Sequence, residues 1–189
     1  MNSGYHLEEK GIKEIINLRA SLNLGLSPEL KKAFPNTIAA PRPNIENINV
    51  TDILPEWVAG FTSAEWCFKL YVRKSPSLKV GFRVYLAFYI TQHTRDEELM
   101  KSFIYFFGCG YYQTRSSMNA GDFYCVKFSD IQAKIIPFFK KYEIKGIKAM
   151  DFKDWSLVGT LIHNGEHKTL EELDKIQTIK SRMNTKREY

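Results

Sequence analysis

From Val80 to Gln92 apolar residues recur at every second position, with Phe82, Val84, Leu86, Phe88 and Ile90 on one side. A period of two over that length demands a β-strand with one face in a core, and no helix satisfies it. Residues Cys67–Arg73 alternate in the same way, with Phe68, Leu70 and Val72 sharing a side, and Ser75-Pro76-Ser77 marks the turn between the two runs. Two shorter strands are expected near Cys109–Arg115 and Phe123–Phe128, joined by a Ser/Asn/Gly turn at 116–121. Helical patterns cover Pro55–Glu65, with Pro at the start, and Arg95–Phe107, ended by Gly108. Further helices are expected from a Ser129 or Asp130 cap to Lys141, over Asp151–Ile162 and over Thr169–Met183. The order αββαββα implies an α+β fold: one four-stranded antiparallel sheet, its apolar face backed by helices.

A repeat frames this unit. The stretch HLEEKGIKEIINLRASLN from His6 aligns without gaps on HKTLEELDKIQTIKSRMN from His167, matching His6 with His167, Ile15 with Ile176 and Asn23 with Asn184. Both read as amphipathic helices, with Ile12, Ile15 and Ile16 on one stripe and Leu173, Ile176 and Ile179 on the other. Residues 1–24 are therefore expected to be the terminal helix of a truncated first repeat. Residues 25–54, with a short turn at Ser27-Pro28-Glu29, the segment Ala39-Ala40-Pro41-Arg42-Pro43 and an Asn-rich continuation, read as a linker. Residues 55–189 form the main domain, a division that suits 189 residues.

Given that sheet, Cys67, Lys69, Tyr71 and Arg73 point away from the core, as do Arg83, Tyr85, Ala87 and Tyr89 on the next strand. Tyr111, Gln113, Arg115, Cys125 and Lys127 are expected on the same outer face, and none of these residues is acidic. With 27 basic against 21 acidic residues the chain carries +6, and such a basic, aromatic face suits a phosphate backbone and base edges. A face covered by another protein would also use the tyrosines. No apolar run approaches the roughly 18–20 residues of a membrane span. The three separated cysteines make no disulfide framework.

The segment PEWVAGFTSAEWCF, 55–68, places Ala59, Gly60, Ser63 and Ala64 where a second helix could approach closely, and ends in Glu65 as the chain enters the sheet. A carboxylate there, beside a basic groove, is placed to hold a divalent cation. Val58-Ala59-Gly60-Phe61-Thr62-Ser63-Ala64-Glu65-Trp66 resembles the signature of the LAGLIDADG homing endonucleases. The likeness continues through Tyr89-Ile90-Thr91-Gln92-His93, Phe107-Gly108-Cys109-Gly110-Tyr111, Lys127-Phe128-Ser129-Asp130-Ile131 and Ile179-Lys180-Ser181-Arg182-Met183-Asn184. It spans 55–184 as one repeat, with 6–40 resembling the end of a preceding repeat and the linker between them.

The resemblance implies an intron-encoded endonuclease that binds a long double-stranded DNA site through the sheet and cleaves it with Mg²⁺. On that pattern Glu65 is the metal ligand, Gln92 organises water and Lys148 stands near the scissile phosphate, while Lys69, Tyr71, Arg73, Arg83, Tyr85, Tyr89, Tyr111, Gln113, Arg115 and Lys127 contact DNA. Two departures stand out: Trp66 replaces the signature's closing Gly, and Ser63 an acidic residue. The first signature helix is also not in this sequence, so the paired site would need a homodimer or a separate first-repeat chain. The alternative is a degenerate member without cleavage activity, a maturase or ribonucleoprotein component whose tyrosines stack on structured intron or ribosomal RNA.

His163-Asn164-Gly165-Glu166-His167 spells HxxEH, but Gly165 interrupts the helix that zinc-peptidase chemistry requires. His93 reads as a strand-end hydrogen-bonding or DNA-contacting residue. Lys far outnumbers Arg, and Ile, Asn, Phe and Tyr are abundant, all with A- and T-rich codons. With the resemblance, this bias implies a mitochondrial protein encoded in the organelle.

Overall fold

The computed structural model describes residues 4–22, 24–41, 49–116 and 118–184, and the backbone but not the side chain of Trp66. Expectations about Asn23, Arg42-Pro43, the Asn-rich stretch after it and the Trp66 ring lie outside the described residues. The chain forms two compact units, Met1–Asn44 and Ile45–Tyr189.

In the first unit a 3₁₀ turn, Tyr5–Leu7, precedes α1 (Glu9–Ser21), and α2 (Pro28–Ala33) follows. Ser27 caps α2 by accepting a hydrogen bond from the Leu30 amide at 3.3 Å, with Pro28 at the first helical position. The extended segment after α2 returns to α1, where the Ala40 amide donates to the Asn17 carbonyl at 3.0 Å.

The second unit holds α3 (Pro55–Glu65), β1 (Trp66–Lys74), β2 (Phe82–His93), α4 (Glu97–Phe107), β3 (Tyr111–Arg115) and β4 (Ala120–Cys125). After these come α5 (Phe128–Asp130), a π-helical stretch Ile131–Ile135, α6 (Ile136–Lys141), α7 (Ile147–His163) and α8 (Leu170–Arg182). The π stretch leads into Pro137, which has no N–H for an α-helical bond. The strands make one antiparallel sheet, as expected, in the order β1-β2-β4-β3.

The inner face carries Phe68, Leu70, Val84, Leu86, Phe88, Ile90 and Phe123, all buried. Phe68 stacks on Phe88 at 5.3 Å and meets Phe139, Phe152 and Trp155 from the helical layer. Trp155, fully buried on α7, donates its indole N–H to the Lys69 carbonyl at 3.0 Å and so fixes α7 against β1. Among the described residues no helix is long and apolar enough to cross a membrane.

The repeat is structural as well as sequential. The offset that aligns His6 with His167 carries the turn Tyr5–Leu7 onto the 3₁₀ turn Glu166–Lys168, and α1 onto α8 residue for residue. It also aligns Gly4 with Gly165, both in the left-handed region at φ 70 and 76, where glycine avoids a steric cost. The burial differs. Leu173, Ile176, Ile179 and Met183 are at most 6% exposed, whereas their counterparts Ile12, Ile15, Leu18 and Leu22 are 39–59% exposed. Truncating Phe68 to Ala removes the ring at the centre of the aromatic cluster; we expect a loss of about 3–5 kcal/mol in urea unfolding of the second unit.

Candidate nucleic-acid interface

No loop separates α3 from β1: Glu65 closes the helix and Trp66 opens the strand, already paired with Ile90. This junction holds the exposed Glu65 at the end of the sheet where β2 runs on through Thr91, Gln92 and His93. Gln92 is half-buried there, on the Ile90 side of the strand. Lys148, in the first turn of α7, lines a pocket of about 480 Å³ with Ser63, Cys67, Lys69 and Lys145. The Lys145 amide donates to the Ser63 hydroxyl at 3.4 Å, which ties the segment before α7 to the end of α3. Sequence reasoning missed Lys145; the Glu143-Ile144-Lys145-Gly146 segment has no periodicity to place it.

The small-residue seam divides. Gly60 and Ala64 are exposed, and a Cβ added at Gly60 would meet nothing within 4 Å. Ala59 instead is buried in the core beside Val58 and Thr62, because it falls on the inward side of the helix. Ser63 is half-buried and donates its hydroxyl to the Ala59 carbonyl at 3.0 Å. Of the four residues expected at a helix seam, Gly60 and Ala64 are the exposed ones.

On the outer face Lys69, Tyr71 and Arg73 lie opposite Ala87, Tyr85 and Arg83. Tyr71 and Tyr85 stack at 4.7 Å, and the Arg73 guanidinium sits over both rings at 5.2 and 5.5 Å. Arg73 and Arg83 are directly opposed and exposed, an arrangement of like charges that costs stability unless an anion covers it. Ala87, between Tyr85 and Tyr89, is only 2% exposed. Farther across the sheet, Tyr89, Tyr124 and Tyr111 form a row with ring centres 5.4 and 5.6 Å apart. Gln113 is exposed on the same side.

Three expectations for this face are corrected. Cys125 points inward: it pairs with Phe88, is 1% exposed, and its sulfur lies 3.7 Å from that of Cys109. Lys127 is exposed but stands beyond the sheet, capping α5, because β4 ends at Cys125. The face is also not free of acid. Asp122 lies on it between Thr91 and Gln113, and takes the Arg115 guanidinium on both oxygens, at 2.6 Å from Nε and 2.7 Å from Nη2. Thr91 donates to Asp122 at 2.5 Å and accepts from Arg115 at 2.9 Å. Arg115 is therefore neutralised within the protein, whereas Arg73 and Arg83 have no ion pair among the described residues. The strand parity was the missed signal: β4 starts at Ala120, so Asp122 and Tyr124 point outward and Phe123 and Cys125 inward.

The remaining candidates resolve locally. His93 accepts the Arg95 amide at 3.1 Å and caps the turn before α4. His163 ends α7 and His167 lies in the following 3₁₀ turn, so HxxEH does not share a helical face. Among the described residues no group of three or more His, Cys, Asp or Glu side chains converges as a metal site.

Residues 58–158 match the family model described as LAGLIDADG endonuclease. The chain belongs to the LAGLIDADG endonuclease family. It is 40% identical over 184 residues to probable intron-encoded endonuclease 2 of Neurospora crassa, covering 93% of this chain and 39% of that protein. It is 37% identical over 182 residues to probable intron-encoded endonuclease 3 of the same fungus, covering 96% and 34%. Its structure is similar to the I-SmaMI LAGLIDADG homing endonuclease bound to cleaved DNA, at 44% identity and TM-score 0.86, covering 100% of this chain and 62% of that one. A similar match is the I-LtrWI LAGLIDADG homing endonuclease bound to target DNA, at 37% identity and TM-score 0.84, covering 99% and 62%. The chain therefore spans less than two thirds of the length of each of these relatives.

The tyrosine row of this LAGLIDADG unit predicts an alkaline instability. Burial, then the neighbouring Cys67, pushes the Tyr89 phenol well above its usual range, and burial followed by Asp122 raises that of Tyr124. A raised native value makes the unfolded chain lose its proton first, so stability present below about pH 10 declines as pH rises further. Urea unfolding between pH 9 and pH 12 should show this decline, and Tyr89→Phe should make it shallower.

Proposed function

We propose that this chain is the DNA-binding and half-catalytic part of an intron-encoded endonuclease, reading double-stranded DNA with the outer sheet face and contributing Glu65 to a divalent-cation site. The observation that carries the reading is the junction itself: an exposed carboxylate ends α3 where the chain enters a sheet whose opposed Arg73 and Arg83 have no ion pair among the described residues. Lys69, Tyr71, Arg73, Arg83, Tyr85, Tyr89, Tyr111 and Gln113 supply the contacts, cations to phosphate and hydroxyl or amide groups to base edges. Arg115 presents only its Nη1 edge, since Asp122 and Thr91 occupy the rest. Lys127 reaches phosphate from beyond the sheet. The two Neurospora relatives are named as endonucleases and both solved relatives are DNA-bound, which favours duplex DNA over RNA and an organellar intron as the gene's home.

The residues present suit Mg²⁺. This ion takes oxygen ligands, keeps several waters and binds through one or two carboxylates together with substrate phosphates. Glu65 offers such a carboxylate, and the end of α3 adds carbonyls without helical partners. Glu65 would hold Mg²⁺ beside the scissile phosphate, where the ion would supply Lewis acidity and stabilise the leaving oxygen. Gln92 orients water at the end of β2, and Lys148, with Lys145 and Lys69 around the same pocket, balances charge developing on the phosphate.

One carboxylate makes half of a paired site, and the exposed stripe on α1 indicates where the other half attaches. In the second unit the equivalent stripe closes a sheet-and-helix core, so Ile12, Ile15, Leu18 and Leu22 suit a core of the same kind whose closing helix is absent. A second copy of this chain does not offer one, because its own α8 fills that place. Gly60 and Ala64 then face the signature helix of that other unit.

With a complementary LAGLIDADG unit supplied, cleavage of a target duplex should require Mg²⁺. Glu65→Gln should lower the cleavage rate by about 10³-fold or more, a loss of several kcal/mol of transition-state stabilisation, with duplex affinity nearly unchanged. Cleavage that survives Glu65→Gln would remove Glu65 from the role. Asp122→Asn should free Arg115 for phosphate and steepen the salt dependence of duplex binding by about one unit of slope.

A further inference from the structure

Sixteen residues apart in sequence, Cys109 and Cys125 meet in the second unit with their sulfurs 3.7 Å apart, and both are free thiols. Neither has a part in the chemistry assigned to Glu65. Cys125 is 1% exposed and Cys109 8%. Two glycines bring the pair together. Gly108, at φ 62, ends α4, and the next amide, that of Cys109, donates to the Ile104 carbonyl at 3.1 Å. Gly110, at φ 87, carries the chain close against β4: an added Cβ would meet the Tyr124 carbonyl oxygen at 2.6 Å and the Phe123 ring at 2.7 Å. Cys109 thus stands between the end of α4 and the last residue of β4, with a glycine on each side.

The two sulfurs have different surroundings. Lys134, from the π-helical stretch, donates its ammonium group to the carbonyl of the exposed Gly108, beside Cys109, and stands 3.7 Å from Asp130. A hydrogen bond from the Cys125 thiol, and after it the Lys134 charge, holds the Cys109 thiol below its usual range against burial and Asp130. The same bond, followed by burial, pushes the Cys125 thiol up. One sulfur is therefore the better nucleophile while the other keeps its proton, the asymmetry that stepwise oxidation of a dithiol uses.

We propose that Cys109 and Cys125 form a peroxide-reactive dithiol whose oxidation to a disulfide staples the start of β3 to the end of β4. The Cys109 thiolate attacks one oxygen of hydrogen peroxide; an S–O bond forms, the O–O bond breaks, and the departing hydroxide takes up the proton Cys109 has lost, leaving as water. The Cys125 sulfur then attacks the Cys109 sulfenic acid. An S–S bond forms, the S–O bond breaks, and the hydroxide leaves with the Cys125 proton as a second water. Two thiols are oxidised by two electrons and one peroxide is reduced to two waters. The sulfurs must close from 3.7 Å to about 2.05 Å, and rotation about Gly108 and Gly110 supplies that movement. The link encloses residues 110–124, which hold all of β3 and all of β4 but its last residue. β3 is an edge strand, paired on one side only, so it gains most from the closure.

The third cysteine, Cys67, is half-buried and gives its thiol to the Asn184 side chain at 3.4 Å, which makes it an internal reference. The test treats the full, reduced chain with hydrogen peroxide and follows each cysteine by mass spectrometry of alkylated peptides. The Cys109 and Cys125 peptides should become joined at least about tenfold faster than Cys67 is oxidised, and dithiothreitol should separate them again. In the Cys125→Ser chain the reaction should stop at a sulfenic acid on Cys109 that dimedone traps; in Cys109→Ser, Cys125 should stay reduced. Oxidation of Cys67 with Cys109 and Cys125 left reduced, or a link that forms only in urea, overturns the site, and both results are read from the unmutated chain. Hydrogen exchange reads the staple: amides of β3 should exchange at least about tenfold more slowly in the oxidised chain. Equal exchange in the two forms overturns the stapling.

Discussion

The absence of a loop between α3 and β1 is the constraint on which the candidate site depends. A helix that becomes a strand in one residue step has no slack, so the strand register dictates where the helix end lies. That register is held from below. Asn184 donates its side-chain amide to the Phe68 carbonyl at 3.3 Å and accepts the Cys67 thiol at 3.4 Å, while its own backbone N–H goes to the buried Asp151 carboxylate at 3.0 Å. Asn184 takes positive φ, 59, to make these contacts, which a short amide side chain tolerates better than most. Arg182 clamps both oxygens of Asp154 through its Nη2 and Nε at 2.7 and 3.0 Å. The first residues of β1 are therefore tied to α7 and to the end of α8, and Glu65 inherits that rigidity. A reacting geometry needs such support, since misplacement of about 1 Å costs orders of magnitude in rate.

Charge on the sheet is graded rather than uniform. At the hairpin end Arg73 and Arg83 oppose one another and the stacked tyrosines beneath them, an arrangement that repels itself until an anion arrives. Toward β3 and β4 the balance is internal: Asp122, 2% exposed, absorbs Arg115 and Thr91 into one closed network. A pair with one buried member contributes little net stability, yet losing Arg115 leaves the Asp122 charge uncompensated. Its effect is to remove one cation from the pool that binds any phosphate and to hold the rest of that guanidinium in a fixed direction. Non-selective attraction and directional contact thus occupy different parts of the same face.

The long strands were legible because alternation over Val80–Gln92 admits one answer, and the signature helix because Pro55 and the sheet bracket it. β4 was not. Its short run Gly121-Asp122-Phe123-Tyr124-Cys125 puts an aromatic on either parity, and only pairing with Ile90 and Phe88 decides that Phe123 and Cys125 go inward. Placing the turn over 116–121 left Asp122 without a face, so its neutralisation of Arg115 could not be anticipated. Ala59 reads as a seam residue in any list of small side chains; its burial depends on which side of α3 meets the core. Lys145 and Asn184 reach the site through contacts across 82 and 116 residues of chain, a separation at which local pattern carries no information.

The repeated helix marks a different limit. α1 and α8 share a turn, a left-handed glycine, a length and an apolar stripe, so local sequence specifies the same object twice. What differs is the surface each meets. Hydrophobic burial is non-directional and proportional to area, so the stripe on α8 is satisfied by the aromatic core beneath it, while on α1 Ile16 is buried and Ile12, Ile15, Leu18 and Leu22 stay exposed. Four such side chains in one row exceed the scattered apolar exposure of ordinary surfaces. An amphipathic period fixes that a face will be covered and the shape of what covers it. For α8 that shape is the sheet-backed aromatic core beneath it.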